Sequence, residues 1–171
     1  DKDIYIALIN EQFKGKEKLI EPNVKALEIG YSYAEENFKG LCDIKVNKSD
    51  KTEGLILTSG NDAAGLGCVY GGATFCAWYP ITPSTSLAES YSNYSEKLRI
   101  EIGTDKNKFA FIQAEDELAA IGMTIGANWN GARGFTATSG PGISLMSEFI
   151  GLAYFAEVPS VIFDVQRGGL S

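Results

Sequence analysis

The stretch from Phe109 to Gly142, FAFIQAEDELAAIGMTIGANWNGARGFTATSGPG, constrains the fold more than any other part of the chain. It reads as strand, acidic turn, small-residue helix, strand and glycine turn. Ala110 to Gln113 is a short apolar run, and Glu115, Asp116 and Glu117 open a helix at the end where carboxylates are favoured by the dipole. Leu118, Gly122, Ile125 and Trp129 recur at helical spacing and predict one face, with Ala119 and Gly126 forming a neighbouring face almost without side chains. A glycine inside a helix costs about 1 kcal/mol against alanine, so each one predicts close approach, by another element in tight packing or by a ligand.

The same alternation extends in both directions. Apolar runs at 54–59, 76–81, 109–113, 134–139 and 161–166 predict strands, and the segments between them predict helices that follow Asn61 and Asp62, start with a Ser86/Glu89 capping box, and span 116–129 and 141–157. Because the strands are continuously apolar and separated by helical segments of ten to fifteen residues, the expected class is α/β, a parallel sheet with helices on both faces. Earlier in the chain, an apolar pattern runs over 3–13. Val24, Leu27, Tyr31, Ala34 and Phe38 predict an amphipathic helix with Pro22 in its first turn and Gly40 beyond its end. Residues 39–53 are polar and lysine-rich and read as a linker. Of the 37 charged residues, 20 precede Gly54, so a composition boundary falls there.

Composition narrows the chemistry. There is no histidine, which removes histidine triads and every imidazole base. Cys42, Cys68 and Cys76 show no C-x-x-C spacing, so no zinc or iron–sulfur ligand set is written here and buried, reduced thiols are expected. A net charge of -7 without a basic stripe argues against nucleic acid. No apolar run is long enough to span a bilayer and the start does not resemble a signal peptide, so a soluble, cytoplasmic protein is expected.

In an open parallel sheet, ligands bind along the edge formed by the carboxyl ends of the strands. Thr82, Glu117, Ser139 with Gly140, and Arg167 each follow a strand, so a hydroxyl, a carboxylate, a helix start and a guanidinium are predicted to share that rim. Structural readings stand beside these: Thr82 as a turn hydroxyl, Ser139 as a cap, Arg167 as a solvated loop residue, Asp164 as a satisfied structural group and Arg133 as surface. Gly65-x-Gly67 with Gly71 gives a weak dinucleotide-like signal, with its third glycine one residue late and no acid at the end of the next strand.

The segments GNDAAGLG, YPITPSTS, AEDELAAIGMTIGANWNGARGFTATSGPGISLM and VPSVIFDVQRGGLS together resemble the alpha subunit of 2-oxoacid:ferredoxin oxidoreductases over about residues 54–171. That resemblance implies the thiamine-diphosphate pyrimidine-binding domain, cut short at its carboxyl end. It also implies that residues 1–53 are the tail of a gamma-like domain fused ahead of alpha, plus linker. Glu117 is then implied as the carboxyl that hydrogen-bonds the cofactor's pyrimidine, with Tyr79, Pro80, Ile81, Thr82, Ser139 and Gly140 as further cofactor contacts. Thr82 would offer a hydroxyl near the reacting carbonyl, and Arg167 would grip the substrate carboxylate with its planar fork.

The implied reaction is oxidative decarboxylation of a 2-oxoacid, 2-oxoglutarate favoured, with coenzyme A, and electrons passing to ferredoxin. The diphosphate with its Mg2+ and the [4Fe-4S] cluster are implied on a beta subunit. Alternatives are a pyruvate-specific relative, a non-catalytic subunit that docks a partner, and a nucleotide-binding module using the glycines of 61–72.

Overall fold

A computed structural model describes residues 2–41, 44, 47, 49–104 and 106–168. The chain divides into two compact units, Asp1–Gly54 and Leu55–Ser171. In the first, α1 (Lys2–Gln12) packs on α2 (Ile20–Phe38), with a 3-10 turn at Glu17–Leu19 between them. Pro22 stands in the first turn of α2, where its missing N–H leaves no intrahelical bond unmade, and Gly40 follows the helix at φ +81°. Neither helix buries a residue, and Ile4, Leu8, Ile29 and Tyr33 are exposed. The described residues of 39–53 are exposed and carry no helix or strand, and Cys42 lies outside the described residues.

In the second unit the order is α3 (Gly60–Tyr70), β1 (Phe75–Trp78), α4 (Thr85–Leu98), β2 (Ala110–Gln113), α5 (Glu117–Trp129), β3 (Gly134–Thr138), α6 (Gly140–Phe155) and β4 (Val161–Asp164). The four strands form one parallel sheet in the order β2-β1-β3-β4. The connection from β1 to β2 runs one way across the sheet, while those from β2 to β3 and from β3 to β4 run the other way. Right-handed crossovers then put α4 on one face and α5 with α6 on the opposite face. The packing agrees: α4 lies with α3, and α5 lies with α6.

On the α3/α4 face, Cys76, Trp78, Phe135 and Ala137 meet Val69, Leu87, Ala88 and Tyr91. The Tyr91 ring stands edge-on to Phe135 with centroids 4.9 Å apart, and its hydroxyl donates to the Ala73 carbonyl at 3.1 Å. On the other face, Ile121, Ile125 and Met146 form the core with Phe149 and Ile162 around them.

Three expectations are corrected. The run Gly54–Ser59 forms no strand: Leu55, Ile56 and Leu57 are 71%, 85% and 104% exposed, and among the described residues no strand pairs with them, which an extended apolar run needs in order to satisfy its backbone. The Ser86/Glu89 box does not cap α4. Its first turn begins earlier because the Ser84 and Thr85 hydroxyls both donate to the Ile81 carbonyl, and Ser86 Oγ donates to Pro83 instead. A reciprocal box does occur at α3, between Ser59 and Asp62.

The buried face of α5 is Glu117, Ala120, Ile121, Thr124 and Ile125, which leaves Trp129 63% exposed. Only one of its glycines marks a close approach: a Cβ on Gly122 would stand 3.0 Å from the Phe149 ring, whereas nothing lies within 4 Å of one on Gly126. No described helix is long and apolar enough to cross a membrane.

Candidate functional site

The topology reverses between β1 and β3, adjacent strands whose outgoing connections leave in opposite directions. At such a switch point the loops part and leave a crevice beyond the carboxyl ends of the two strands. Tyr79–Thr82 leave β1 there, and Ser139 and Gly140 leave β3. The next strand out on one side, β2, is level with β1 through the Trp78–Gln113 register, and the Ala114 N–H donates to the Trp78 carbonyl at 2.8 Å. That bond brings the start of α5 to the same rim. On the other side, Asp164 pairs with Thr138, so Val165–Gly168 leave β4 at the level where Ser139 leaves β3.

Glu117 is the first residue of α5. Asp116 is its N-cap, in extended backbone, and its carboxylate accepts the Ala119 N–H at 2.7 Å, which frees Glu117 from capping and turns it inward. Glu115 and Asp116 are exposed while Glu117 is only 8% exposed. Among the described residues the Glu117 carboxyl makes no hydrogen bond or ion pair, and its oxygens are not among the fully buried atoms left without a partner, so they keep contact with solvent.

Its neighbours come from the opening of α6. A Cβ on Gly142 would stand 3.0 Å from Glu117 Cγ and would fall on Thr138 Oγ1. A side chain at Gly142 would therefore collide with both Thr138 and Glu117. Thr138 Oγ1 is itself buried and has no hydrogen-bond partner among the described residues.

The other expected residues are distributed along the same rim. Tyr79 and Ile81 are half-buried, Pro80 and Thr82 are exposed, and the Thr82–Pro83 peptide is cis. Asn61, at the start of α3, holds this loop by donating through Nδ2 to the Pro83 carbonyl at 2.9 Å and to Ser86 Oγ at 2.7 Å. Its neighbour Asp62 accepts from the hydroxyls of Ser90 and Ser59, which hold its carboxyl below the ordinary aspartate value.

Ser139 is the N-cap of α6 by position but makes no side-chain capping bond, and its carbonyl accepts the Gly142 and Ile143 N–H groups. Gly140 faces Gln166 Nε2, which would be 3.5 Å from a Cβ there. Arg167 is exposed one residue further on, and Gly169 of the same turn lies outside the described residues. No described hydrogen bond or ion pair joins Glu117, Thr82 and Arg167.

Sequence reasoning missed Asn61, Thr138, Gly142 and Gln166. For Thr138 a signal existed, a hydroxyl closing an apolar strand immediately before Ser-Gly-Pro-Gly. Asp164 and Arg133 behave as the structural readings had them, Asp164 accepting from Gln166 at 2.7 Å and Arg133 donating to the Gly71 carbonyl at 2.7 Å.

Of the glycines of the weak dinucleotide-like signal, Gly65 serves packing: a Cβ there would stand 2.8 Å from the Tyr91 backbone nitrogen, whereas nothing lies within 4 Å of one on Gly67. An apolar opening of about 640 Å³ lies at the opposite, amino end of the sheet, lined by Gly67, Gly71, Gly134, Phe135 and Val161, away from every acid of the rim. Among the described residues no cluster of cysteine and carboxylate groups could hold a metal ion.

Fold and rim together define a doubly wound parallel α/β domain in which the largely buried Glu117, beside the switch point, has no side-chain partner among the described residues. Residues 66–171 match the family model described as pyruvate flavodoxin/ferredoxin oxidoreductase, thiamine diphosphate-binding, and the chain belongs to that family. It is 40% identical over 169 residues to the 2-oxoacid:ferredoxin oxidoreductase 2 alpha subunit of Aeropyrum pernix, covering 95% of this chain and 26% of that one. It is 50% identical over 112 residues to the 2-oxoglutarate synthase subunit KorA of Methanothermobacter marburgensis, covering 66% of this chain and 28% of that subunit.

A solved structure, the 2-oxoglutarate:ferredoxin oxidoreductase from Magnetococcus marinus with 2-oxoglutarate, coenzyme A and succinyl-CoA bound, aligns with a TM-score of 0.68 at 36% identity. The alignment covers 97% of this chain and 27% of that chain. The chain thus spans about a quarter of the length of the relatives it matches.

Proposed function

We propose that this chain contributes the pyrimidine side of a thiamine-diphosphate site to the alpha subunit of a 2-oxoacid:ferredoxin oxidoreductase. The observation that carries the reading is Glu117: a largely buried glutamate at the first position of a helix, packed against Gly142 near the switch point, whose carboxyl makes no hydrogen bond or ion pair among the described residues. An acid with no partner among the described residues suits a ligand that brings a basic nitrogen.

When bound, thiamine diphosphate supplies a carbanion equivalent and an electron sink. Each residue then has a limited task. Glu117 holds a proton in common with the pyrimidine nitrogen and so fixes the ring's protonation. Tyr79, Pro80 and Ile81 wall the crevice on the β1 side, while Ser139 and Gly140 present the amino end of α6. Thr82 directs its hydroxyl towards the substrate carbonyl. Arg167 meets the substrate carboxylate, for which a guanidinium offers two parallel N–H donors.

The overall reaction converts a 2-oxoacid anion and coenzyme A into an acyl-CoA, carbon dioxide, one proton and two electrons, which leave through ferredoxin. The metal-bound diphosphate and the [4Fe-4S] cluster are assigned to a beta subunit. Among substrates, 2-oxoglutarate is favoured over pyruvate because relatives in both comparisons carry its name.

The test is dye reduction by the full-length chain assembled with its partner subunits, coenzyme A and thiamine diphosphate, offered 2-oxoglutarate and pyruvate in parallel. Glu117→Gln is expected to abolish cofactor-dependent turnover while the assembly remains intact. Wild-type-like turnover by that variant would refute the role of Glu117, and preference for pyruvate would refute the substrate assignment.

A further inference from the structure

Thr138 ends β3 on the sheet face that α5 and α6 cover. It is 1% exposed, and its hydroxyl makes no hydrogen bond to the described residues. Burying a hydroxyl without a partner is unfavourable, and a valine of nearly the same shape would avoid that penalty. The neighbouring Thr124 shows the ordinary solution: its hydroxyl donates to the Ala120 carbonyl of the preceding helical turn at 2.9 Å. Thr136, one step lower on the same face, is also unpartnered, so an orphan hydroxyl is not by itself informative. What distinguishes Thr138 is its surroundings. The point where a Gly142 Cβ would stand is occupied by Thr138 Oγ1 and lies 3.0 Å from Glu117 Cγ, so three elements, the end of β3 and the starts of α5 and α6, bring one hydroxyl against the Glu117 side chain.

We propose that Thr138 is the positioning residue for Glu117: its hydroxyl donates to the Glu117 carboxyl when the cofactor is bound, and Gly142 keeps the space between them open. The inference rests on the reading of Glu117 as the pyrimidine partner and adds what fixes that carboxyl in place. A glutamate at the first position of a helix has three free torsions and a side chain that the backbone does not orient. One donor held by a rigid strand selects a single rotamer and engages one carboxyl oxygen, leaving the other for the ring nitrogen. Thr138 touches neither substrate nor cofactor and acts through Glu117 alone.

The experiment uses the full-length assembly and reads cofactor binding rather than turnover. Thiamine-diphosphate affinity is measured by titration, and the near-ultraviolet circular dichroism of the bound cofactor reports the protonation of its aminopyrimidine ring. Thr138→Val is expected to weaken binding by about ten- to a hundredfold, the range for losing a hydrogen bond to a charged group, and to remove the wild-type dichroism. Thr138→Ser is expected to restore both.

In the Glu117→Gln background, Thr138→Val should have little further effect, since its route of action is gone. Unchanged affinity and dichroism in Thr138→Val, or an equal loss in both backgrounds, would overturn the inference while leaving Glu117 in its role. Failure of the wild-type assembly to bind thiamine diphosphate at all would overturn the functional reading and this inference with it. Thr138→Ala, which introduces no new contact, serves the same comparison if the valine variant does not assemble.

Discussion

Two glycines of one helix are expected to respond in opposite directions to the same substitution. Gly65 and Gly67 both lie in α3, so replacing either with alanine removes the same conformational penalty, about 1 kcal/mol per residue in a helix interior. At Gly67 nothing stands within 4 Å of the new methyl group, and that gain is retained in full. At Gly65 the methyl would stand 2.8 Å from the Tyr91 backbone nitrogen, 2.9 Å from Ser90 Cβ and 3.1 Å from the Ser90 carbonyl carbon. Two of these atoms are main chain of α4, which cannot turn aside as a flexible side chain would.

Overpacking of this kind costs about 1–3 kcal/mol. Taking the upper part of that range and returning about 1 kcal/mol of propensity leaves Gly65→Ala about 1–2 kcal/mol less stable locally. Amide hydrogen exchange over α3 and α4 in the full-length protein measures this directly. Protection should fall by about five- to thirtyfold in Gly65→Ala and rise up to about fivefold in Gly67→Ala. Protection in Gly65→Ala equal to or above wild type would refute the claim that contact between helix backbones fixes that glycine.

Asn61→Ala releases the loop carrying Thr82 by deleting the bonds to Pro83 and Ser86; a misplaced hydroxyl is expected to lower kcat/KM for the 2-oxoacid by about ten- to a hundredfold in the dye assay. Wild-type values would show that the clasp does not position the loop. Gly142→Ala drives a methyl group onto Thr138 and Glu117, so cofactor affinity should fall together with about 1–3 kcal/mol of local stability, read by titration and by hydrogen exchange over α6.

Burial pushes the Tyr91 phenol up from 10.0 to about 12. The unfolded chain therefore loses this proton first, so the contribution of Tyr91 to stability is complete below about pH 10 and is lost as pH rises towards 12. Chemical denaturation of Tyr91→Phe should lack that part of the alkaline decline, at a cost near neutrality of about 1 kcal/mol for the missing bond to Ala73.

The sequence by itself determined the class of fold and the direction in which its site opens. Continuous apolar strands such as GFTAT and FCAW bury on both faces only in a covered parallel sheet, and strands followed by helices place their carboxyl ends on one edge. Glu117 was expected as the site acid through the resemblance alone, since Glu115, Asp116 and Glu117 read by themselves as one solvated first turn; that Asp116 caps the helix while Glu117 is buried was decided by the structure.

What the sequence left undecided was everything that depends on which elements become neighbours. Leu55–Leu57 carry strand-like residues but no partner strand, and Ser86 matches a capping pattern but stands inside a turn already fixed by Ser84 and Thr85. Gly65, Gly122 and Gly126 are the same residue in helices of the same kind; one meets backbone, one an aromatic ring and one nothing. Thr138, Gly142 and Glu117 are separated by up to 25 positions and belong to three different elements. Only the strand order, with its reversal between β1 and β3, brings a hydroxyl, an acid and an empty side-chain position to one point, since local propensity carries no information about which strand will lie beside which.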